Sequence, residues 1–260
     1  LPVRDAAGRL AAAVAEWLPA LAALKRPWEL LVVDDGSADD TAAVAEQLAA
    51  KTPNVVLLRH DVRRGVGACL RTGFAAAKHP VIATSALDYP YAPADLGTLL
   101  ARLDDVDPQY KRRLEVVSGC RTGARPPAVW TAVGAVYRGV CRVAFGFPVD
   151  PPAGWYGARN HVRAWAARLV FGAPFADATS AFRVYRRSVL DRFPIQSDGD
   201  FVHVELAAKA TFLSGPGAEC VMDEVRLSPR PDAVPAADWA DLWGVLRDAK
   251  FHPPAAAAVA

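Results

Sequence analysis

Apolar positions along the first ninety residues alternate between two rhythms. From about Leu10 to Leu24 they fall at helical spacing, and Leu30–Val33 is a short continuous apolar run of the length of a strand buried on both faces. The alternation continues with a helix over Thr41–Ala50 that Asp39 or Asp40 can cap. A strand over Asn54–Leu58, a helix over Gly67–Lys78 and a strand over Pro80–Thr84 follow. Together with the strand end Leu1–Val3 this predicts a βαβαβαβ run over residues 1–88 and a parallel sheet. Such sheets hold ligands beyond the carboxyl ends of their strands, where Arg4–Asp5, Asp34–Ser37 and Ala86–Asp88 fall.

Beyond this run the spacing predicts a helix over Pro93–Leu103, a strand over Leu114–Ser118 and a basic loop over Arg121–Pro127, near which the sheet is expected to end. Residues 128–172 interleave Trp130, Tyr137, Trp155, Tyr156 and Trp165 with Arg138, Arg142, Arg159, Arg163 and Arg168, and read as two amphipathic helices. A strand from Phe182, helices over Arg187–Arg192 and Phe201–Phe212 and a strand over Cys220–Val225 complete the pattern.

Composition narrows the function classes. With 52% apolar residues in 260, the chain can bury a substantial core, and a formal charge of +2 supplies no strong field for nucleic acid. The 4 cysteines include no C-x-x-C pair, so they read as buried thiols rather than zinc ligands or a redox dithiol. No apolar run reaches the roughly 20 residues of a membrane span, which leaves a soluble or peripheral protein. The Trp and Arg interleaving suits a membrane interface, with nucleic-acid binding disfavoured for want of any accompanying motif and a structural helix pair left open.

The chemistry concentrates at strand ends. Asp34 and Asp35, followed by Gly36 and Ser37, suit a nucleoside: carboxylates accept from base N–H or ribose hydroxyls, and glycine admits close backbone approach. An ordinary capped turn is the competing reading. Arg64, Gly65 and Gly67 are placed to shape the nucleotide side of the same pocket. The first strand-helix turn lacks G-x-G-x-x-G, which argues against a nicotinamide dehydrogenase.

In order along the chain, these segments resemble the family 2 glycosyltransferases, and among them the polyprenyl-phosphate sugar transferases. Leu1–Ala7 is similar to I-P-V-Y-N-E-A, Val33–Ser37 to V-D-D-G-S, Arg63–Ala68 to N-x-G-x-G-A, and Ser118–Arg121 to G-S-R. Asp177–Arg187 is similar to D-x-x-S-G-F-R-x-x-R-R, and Phe201–Ala210 to F-x-x-D-V-E-L-L-x-K-A. The resemblance implies an α/β, glycosyltransferase A-type nucleotide-binding fold with a mostly parallel central sheet flanked by helices. It implies a catalytic domain over residues 1–230, divided into a nucleotide-sugar half (1–118) and an acceptor half (119–230), with a C-terminal extension over 231–260.

It also implies an inverting transfer of sugar from a UDP- or GDP-linked donor to a polyprenyl phosphate, by a protein peripheral at the cytoplasmic face of a membrane. The nucleotide sugar would be held by Pro2, Val3, Arg4, Asp34, Asp35, Ser37, Arg64, Gly65 and Asp88. Asp88 aligns with the second carboxylate of a D-x-D that holds Mg²⁺ or Mn²⁺ against the diphosphate, while Ala86 replaces the first and weakens the metal site. Arg121, Arg159, Arg183, Arg186 and Arg187 would bind the acceptor phosphate through guanidinium forks, and Asp88, Asp200 and Glu205 stand at catalytic positions. Arg4, Asp5 and Ala6 replace the family's Tyr, Asn and Glu, so a non-catalytic nucleotide-sugar-binding descendant is the alternative.

Overall fold

The computed structural model describes residues 1–87, 91–108, 111–121, 180–213 and 221–228. The first strand, β1 (Pro2–Val3), leads into α1 (Ala7–Ala23), whose Leu10, Val14, Trp17 and Leu21 are buried in the core. That spacing places all four on one helix face, and burying each side chain stabilises the fold by about 2 kcal/mol. The helix begins at Ala6, which has no capping side chain. Its first amides are served from the next turn instead: Ala6 N–H donates to Thr41 Oγ1 at 2.7 Å and Ala7 N–H to Asp39 Oδ2 at 3.0 Å.

Next come β2 (Leu30–Asp34), α2 (Thr41–Lys51), β3 (Val55–Arg59), α3 (Val66–Ala76), β4 (Val81–Thr84), α4 (Asp95–Asp104) and β5 (Val116–Arg121). Then follow β6 (Arg183–Arg186), α5 (Arg187–Leu190), α6 (Val202–Phe212) and β7 (Met222–Leu227). Strands β1, β2 and β3 form a parallel sheet in that order, with Val3 opposite Asp34 and Asp34 opposite Arg59. A second sheet has the order β4-β6-β5-β7. In it β6 runs antiparallel to both β4 and β5, whereas β5 and β7 are parallel.

The expected α/β architecture is therefore present, and three of the five strand pairings are parallel. The expectation that the sheet ends near residue 121 is corrected. Strand β6 inserts between β4 and β5, because Phe182, Val184 and Tyr185 are large apolar residues that find cover on both faces of an interior strand. Phe182 meets Trp17 of α1 edge-on and stacks on Tyr91, each at a ring separation of 6.1 Å, and so ties the β6 region to the N-terminal layer. The paired amphipathic helices expected over 128–172 lie outside the described residues.

Candidate functional site

Parallel register brings the ends of the first strands to one edge: Val3 lies beside Asp34, and Asp34 beside Arg59. The β1–α1 and β2–α2 turns are stapled together there. Asp5 N–H donates to Ser37 Oγ at 3.0 Å, and Ala38 N–H donates to Asp5 Oδ1 at 2.9 Å. Asp39, an exposed residue the sequence reading treated only as a helix cap, accepts from Thr41 and from Ala7. These bonds, that from the Thr41 hydroxyl foremost, hold its carboxyl below the usual range.

Asp34 and Asp35 have different surroundings. Asp34 is fully buried and its Oδ1 accepts from the amide of Ser37 at 3.1 Å and from the Ser37 hydroxyl. Its Oδ2 has no hydrogen-bond partner among the described residues and faces the half-exposed Arg59 guanidinium at 3.7 Å. A buried carboxylate oxygen without a donor is costly, and a donor-bearing ligand at this edge would satisfy it.

Asp35, the second expected nucleotide carboxylate, is bonded within the chain. Its Oδ1 accepts from Arg64 N–H and its Oδ2 from Gly65 N–H, both at 2.8 Å, and His60 Nδ1 lies 3.0 Å from Oδ1. Burial pushes this carboxyl up, but the bonds from His60, Arg64 and Gly65 prevail and hold it below its usual range. An ionised carboxylate only accepts, so Nδ1–H of His60 donates to it, and Nε2 lies 2.9 Å from the Thr72 hydroxyl. Asp35 thus fixes the loop before α3. His60 escaped the sequence reading because it belongs to no motif; its place at the end of β3, level with the aspartates, was the available signal.

The glycines admit backbone, as expected, but the backbone is this chain's own. Gly36 has φ of 65°, and a Cβ there would meet Val62 C at 2.6 Å and Arg63 N at 2.8 Å. Gly65 has φ of 96°, and a Cβ on it would meet Asp198 O at 2.3 Å. Hydrogens at these positions let the 61–65 loop lie between the Asp34–Ser37 turn and the segment before α6.

The remaining expected residues sort by position. Pro2 is half-buried and Val3 is buried in the core, and the Val3 carbonyl accepts from Asp35 N–H at 3.0 Å, so both shape the sheet edge from within. Arg4 is exposed and pairs with Asp5 at 3.4 Å, and Arg64 is exposed on its loop. Ser37 has its hydroxyl committed to Asp34 and Asp5. Asp88 and Arg159 lie outside the described residues; Ala86 and Leu87 lead from β4 toward Asp88. Arg121 ends β5, which runs in the same direction as β4 because both oppose β6, so its backbone stands at the carboxyl edge.

Arg183, Arg186 and Arg187, expected to bind the acceptor phosphate, are bonded within the chain. Arg183 pairs with Thr84 and Ser118 at the carboxyl end, yet it is buried, with Nε donating to Ser118 Oγ at 3.0 Å and Nη1 to His203 O at 2.5 Å. Arg186 lies opposite Val81, at the other end of β4, and donates to Leu114 O and Leu103 O at 2.9 and 3.0 Å. Arg187 donates to the carbonyls of His79, Phe74 and Ala77, closing the carboxyl end of α3. Arg186 and Arg187 therefore stand about 10 Å along the sheet from Arg183 and serve backbone carbonyls rather than the ligand edge.

Glu205, expected at a catalytic position, is engaged within the chain. It is buried in the first turn of α6 and accepts from Gln196 N–H and Ser197 N–H at 2.8 Å and from Lys209 Nζ at 2.6 Å. Burial raises its pKa, but the Lys209, Ser197 and Gln196 bonds outweigh this and keep it ionised below the usual range. Asp200 is exposed just ahead of α6.

Among the described residues, one group offers metal-ligand atoms within 4.8 Å of one another: Asp35, His60 and Cys69, all buried. Its oxygen, nitrogen and sulfur donors do not suit Mg²⁺ or Mn²⁺ bound to diphosphate, which take mainly oxygens, and Asp35 is already committed to the loop. A cavity of about 420 Å³ is lined among others by Leu1, Trp17, Phe74 and Leu100 and reaches Val33, Cys69 and Ser85.

The geometry is that of an α/β domain with a buried carboxylate oxygen at its parallel sheet edge, and the comparisons with known proteins show its fold to be of the glycosyltransferase A type. Residues 4–123 match the family model Glycosyl transferase family 2. It is 27% identical to a polyprenol monophosphomannose synthase of Mycolicibacterium smegmatis over 191 residues, 70% of this chain and 60% of that protein. It is 40% identical to an uncharacterized glycosyltransferase of Mycobacterium tuberculosis over 90 residues, 34% of this chain and 38% of the relative. The chain thus spans less than two thirds of either relative. The glucosyl-3-phosphoglycerate synthase of Mycobacterium tuberculosis, solved with Mn²⁺ and UDP-glucose, shares the fold at a TM-score of 0.60 and 18% identity, over 95% of this chain and 73% of that one. Among the described residues, no helix is long and apolar enough to cross a membrane.

Proposed function

We propose that the protein transfers a sugar, with inversion, from a UDP- or GDP-linked donor to a polyprenyl phosphate. The observation that carries this reading is Asp34 Oδ2, a buried carboxylate oxygen without a hydrogen-bond donor at the carboxyl edge of the sheet. It accepts from the nucleoside, while the exposed Arg4 and Arg64 flank the nucleotide and its phosphates. Asp88 is the residue we assign to Mg²⁺ or Mn²⁺, whose charge would stabilise the departing diphosphate.

A phosphate-monoester oxygen of the acceptor attacks the anomeric carbon as the bond to the nucleoside diphosphate breaks. With a second pKa near 6, that phosphate is already ionised at neutral pH and needs little help from a general base, so Asp200 need only orient it. Of the arginines expected to hold the acceptor phosphate, Arg121 ends β5 at the carboxyl edge and is the one we place nearest the acceptor. The polyprenol-related likeness supports a lipid acceptor, and we place the protein peripherally at the cytoplasmic membrane face.

Incubation with radiolabelled UDP- and GDP-sugars, divalent metal and polyprenyl phosphate tests the proposal, with phosphoglyceric acid as a parallel acceptor. Labelled lipid is the expected product, and none under any combination overturns it. The second reading, a nucleotide-sugar-binding module without turnover, is favoured by Ala6 and Ala86 where the family has carboxylates. Tight calorimetric binding of a nucleotide sugar without product would establish it.

A further inference from the structure

The segment from Pro194 to Asp198 is gripped from both sides. On one side stands α3: Gly67 N–H donates to Asp198 O at 2.7 Å, and Arg71 donates through Nη1 to Ser197 O at 3.0 Å and Ile195 O at 3.3 Å, and through Nη2 to the Asp198 carboxylate. On the other side stands α6, where Glu205 accepts the amides of Gln196 and Ser197 and Lys209 reaches Pro194 O at 2.6 Å. The carbonyls of Ile195 and Ser197 thus face Arg71 while the amides of Gln196 and Ser197 face Glu205. A Cβ on Gly67 would stand 1.9 Å from Ser197 O, so this approach exists because residue 67 is glycine.

The same stretch leads directly into Asp200, and α3 leads back through Gly65 and Arg64 to Asp35, beside Asp34. From this we infer that Arg71 is a positioning residue, which sets the Asp198–Asp200 carboxylates from the nucleotide-side helix and so couples the donor loop to the acceptor side. The inference rests on the proposed transferase reading for its kinetic consequence, but not for its structural one. Arg71 suits the task because its planar fork spans two carbonyls and a carboxylate at once, which a lysine ammonium does not do in one fixed geometry.

The test uses the full chain with Arg71→Ala and Arg71→Lys. Amide exchange at Gln196 and Ser197 is expected to quicken roughly tenfold in Arg71→Ala, as hydrogen bonds to their neighbours are lost, with a smaller change in Arg71→Lys. Addition of UDP or GDP is expected to slow exchange there in the wild type and not in Arg71→Ala. In the transfer assay kcat should fall up to about 100-fold, the scale of a misplaced reacting group, with KM for the nucleotide sugar within about threefold and partial rescue by lysine. Unchanged exchange in Arg71→Ala, or an unchanged kcat, overturns the inference. Should Arg71→Ala fail to fold, Arg71→Lys carries both readouts. A wild type that makes no product defeats the transferase reading alone, and the exchange measurements then decide the inference.

Discussion

Asp34 and Asp35 are chain neighbours at one strand end, yet Asp34 keeps a carboxylate oxygen without a hydrogen-bond donor while Asp35 has both of its oxygens bound to the Arg64–Gly65 loop. Asparagine at each position should separate the two tasks. Asp34→Asn retains an oxygen for Ser37 but loses the charge, so affinity for UDP or GDP should drop at least about tenfold in calorimetry, with thermal stability nearly unchanged. Asp35→Asn presents an N–H₂ to a backbone N–H and leaves His60 without an anion. It should cost about 2–3 kcal/mol in urea unfolding. Equal stability losses in the two variants would show that the distinction is misplaced.

This difference also marks where the sequence stops being legible. The continuous apolar run of β2 and the helical spacing in α1 announce elements whose apolar faces must be buried, and those elements appear within a few residues of their expected bounds. Nothing in V-D-D-G-S says which aspartate faces the ligand, because that depends on where the loop after β3 comes to rest. In the same way, R-V-Y-R-R places Arg183 and Arg186 in one motif, but only the antiparallel insertion of β6 between β4 and β5 sends them to opposite ends of the sheet. Contacts between residues far apart in the chain decide both questions, 29 and 30 positions for Asp35 with Arg64 and Gly65, and local pattern carries no information about them.

Glycine 67 is required by space rather than by dihedral angle. Gly67→Ala drives a methyl into Ser197 O and Ser197 C, both backbone atoms that cannot rotate away. Gly65→Ala adds a positive φ to a similar clash with Asp198 O. Each should destabilise the fold by about 1–3 kcal/mol, read from urea midpoints at constant slope. Gly8→Ala is the counter-case: it lies in α1 with nothing within 4 Å of the added Cβ, and should gain up to about 1 kcal/mol.

Acid should loosen the fold through two internal carboxylates. Asp35 and Glu205 are both held below their ordinary values of 3.8 and 4.5 in the folded state. A depressed folded pKa means stability that is present above the unfolded value and lost as pH falls through the folded one. Urea unfolding should therefore show stability declining from about pH 4.5 downward, and Glu205→Gln, already uncharged, should show a shallower decline from a lower starting point. A pH slope identical to that of the wild type would remove Glu205 from the account.

Cys69 offers a test at the alkaline end. Burial first, and then the nearby Asp35 charge, push its thiol from 9.0 up to about 12, so at neutral pH it is protonated as well as enclosed. The thiolate is the reactive form, and native Cys69 should therefore resist iodoacetamide at pH 8 while the urea-unfolded chain is alkylated readily, as read by peptide mass spectrometry. The sign of the linkage is opposite to that of the carboxylates. A folded pKa above the unfolded one gives stability that is complete below about pH 9 and is lost as pH rises toward 12. Cys69→Ala removes the titrating group and should flatten the alkaline limb of the stability curve. Rapid native labelling, or an alkaline limb unchanged by Cys69→Ala, would mean that the thiol is neither enclosed nor coupled to Asp35 as the structure has it.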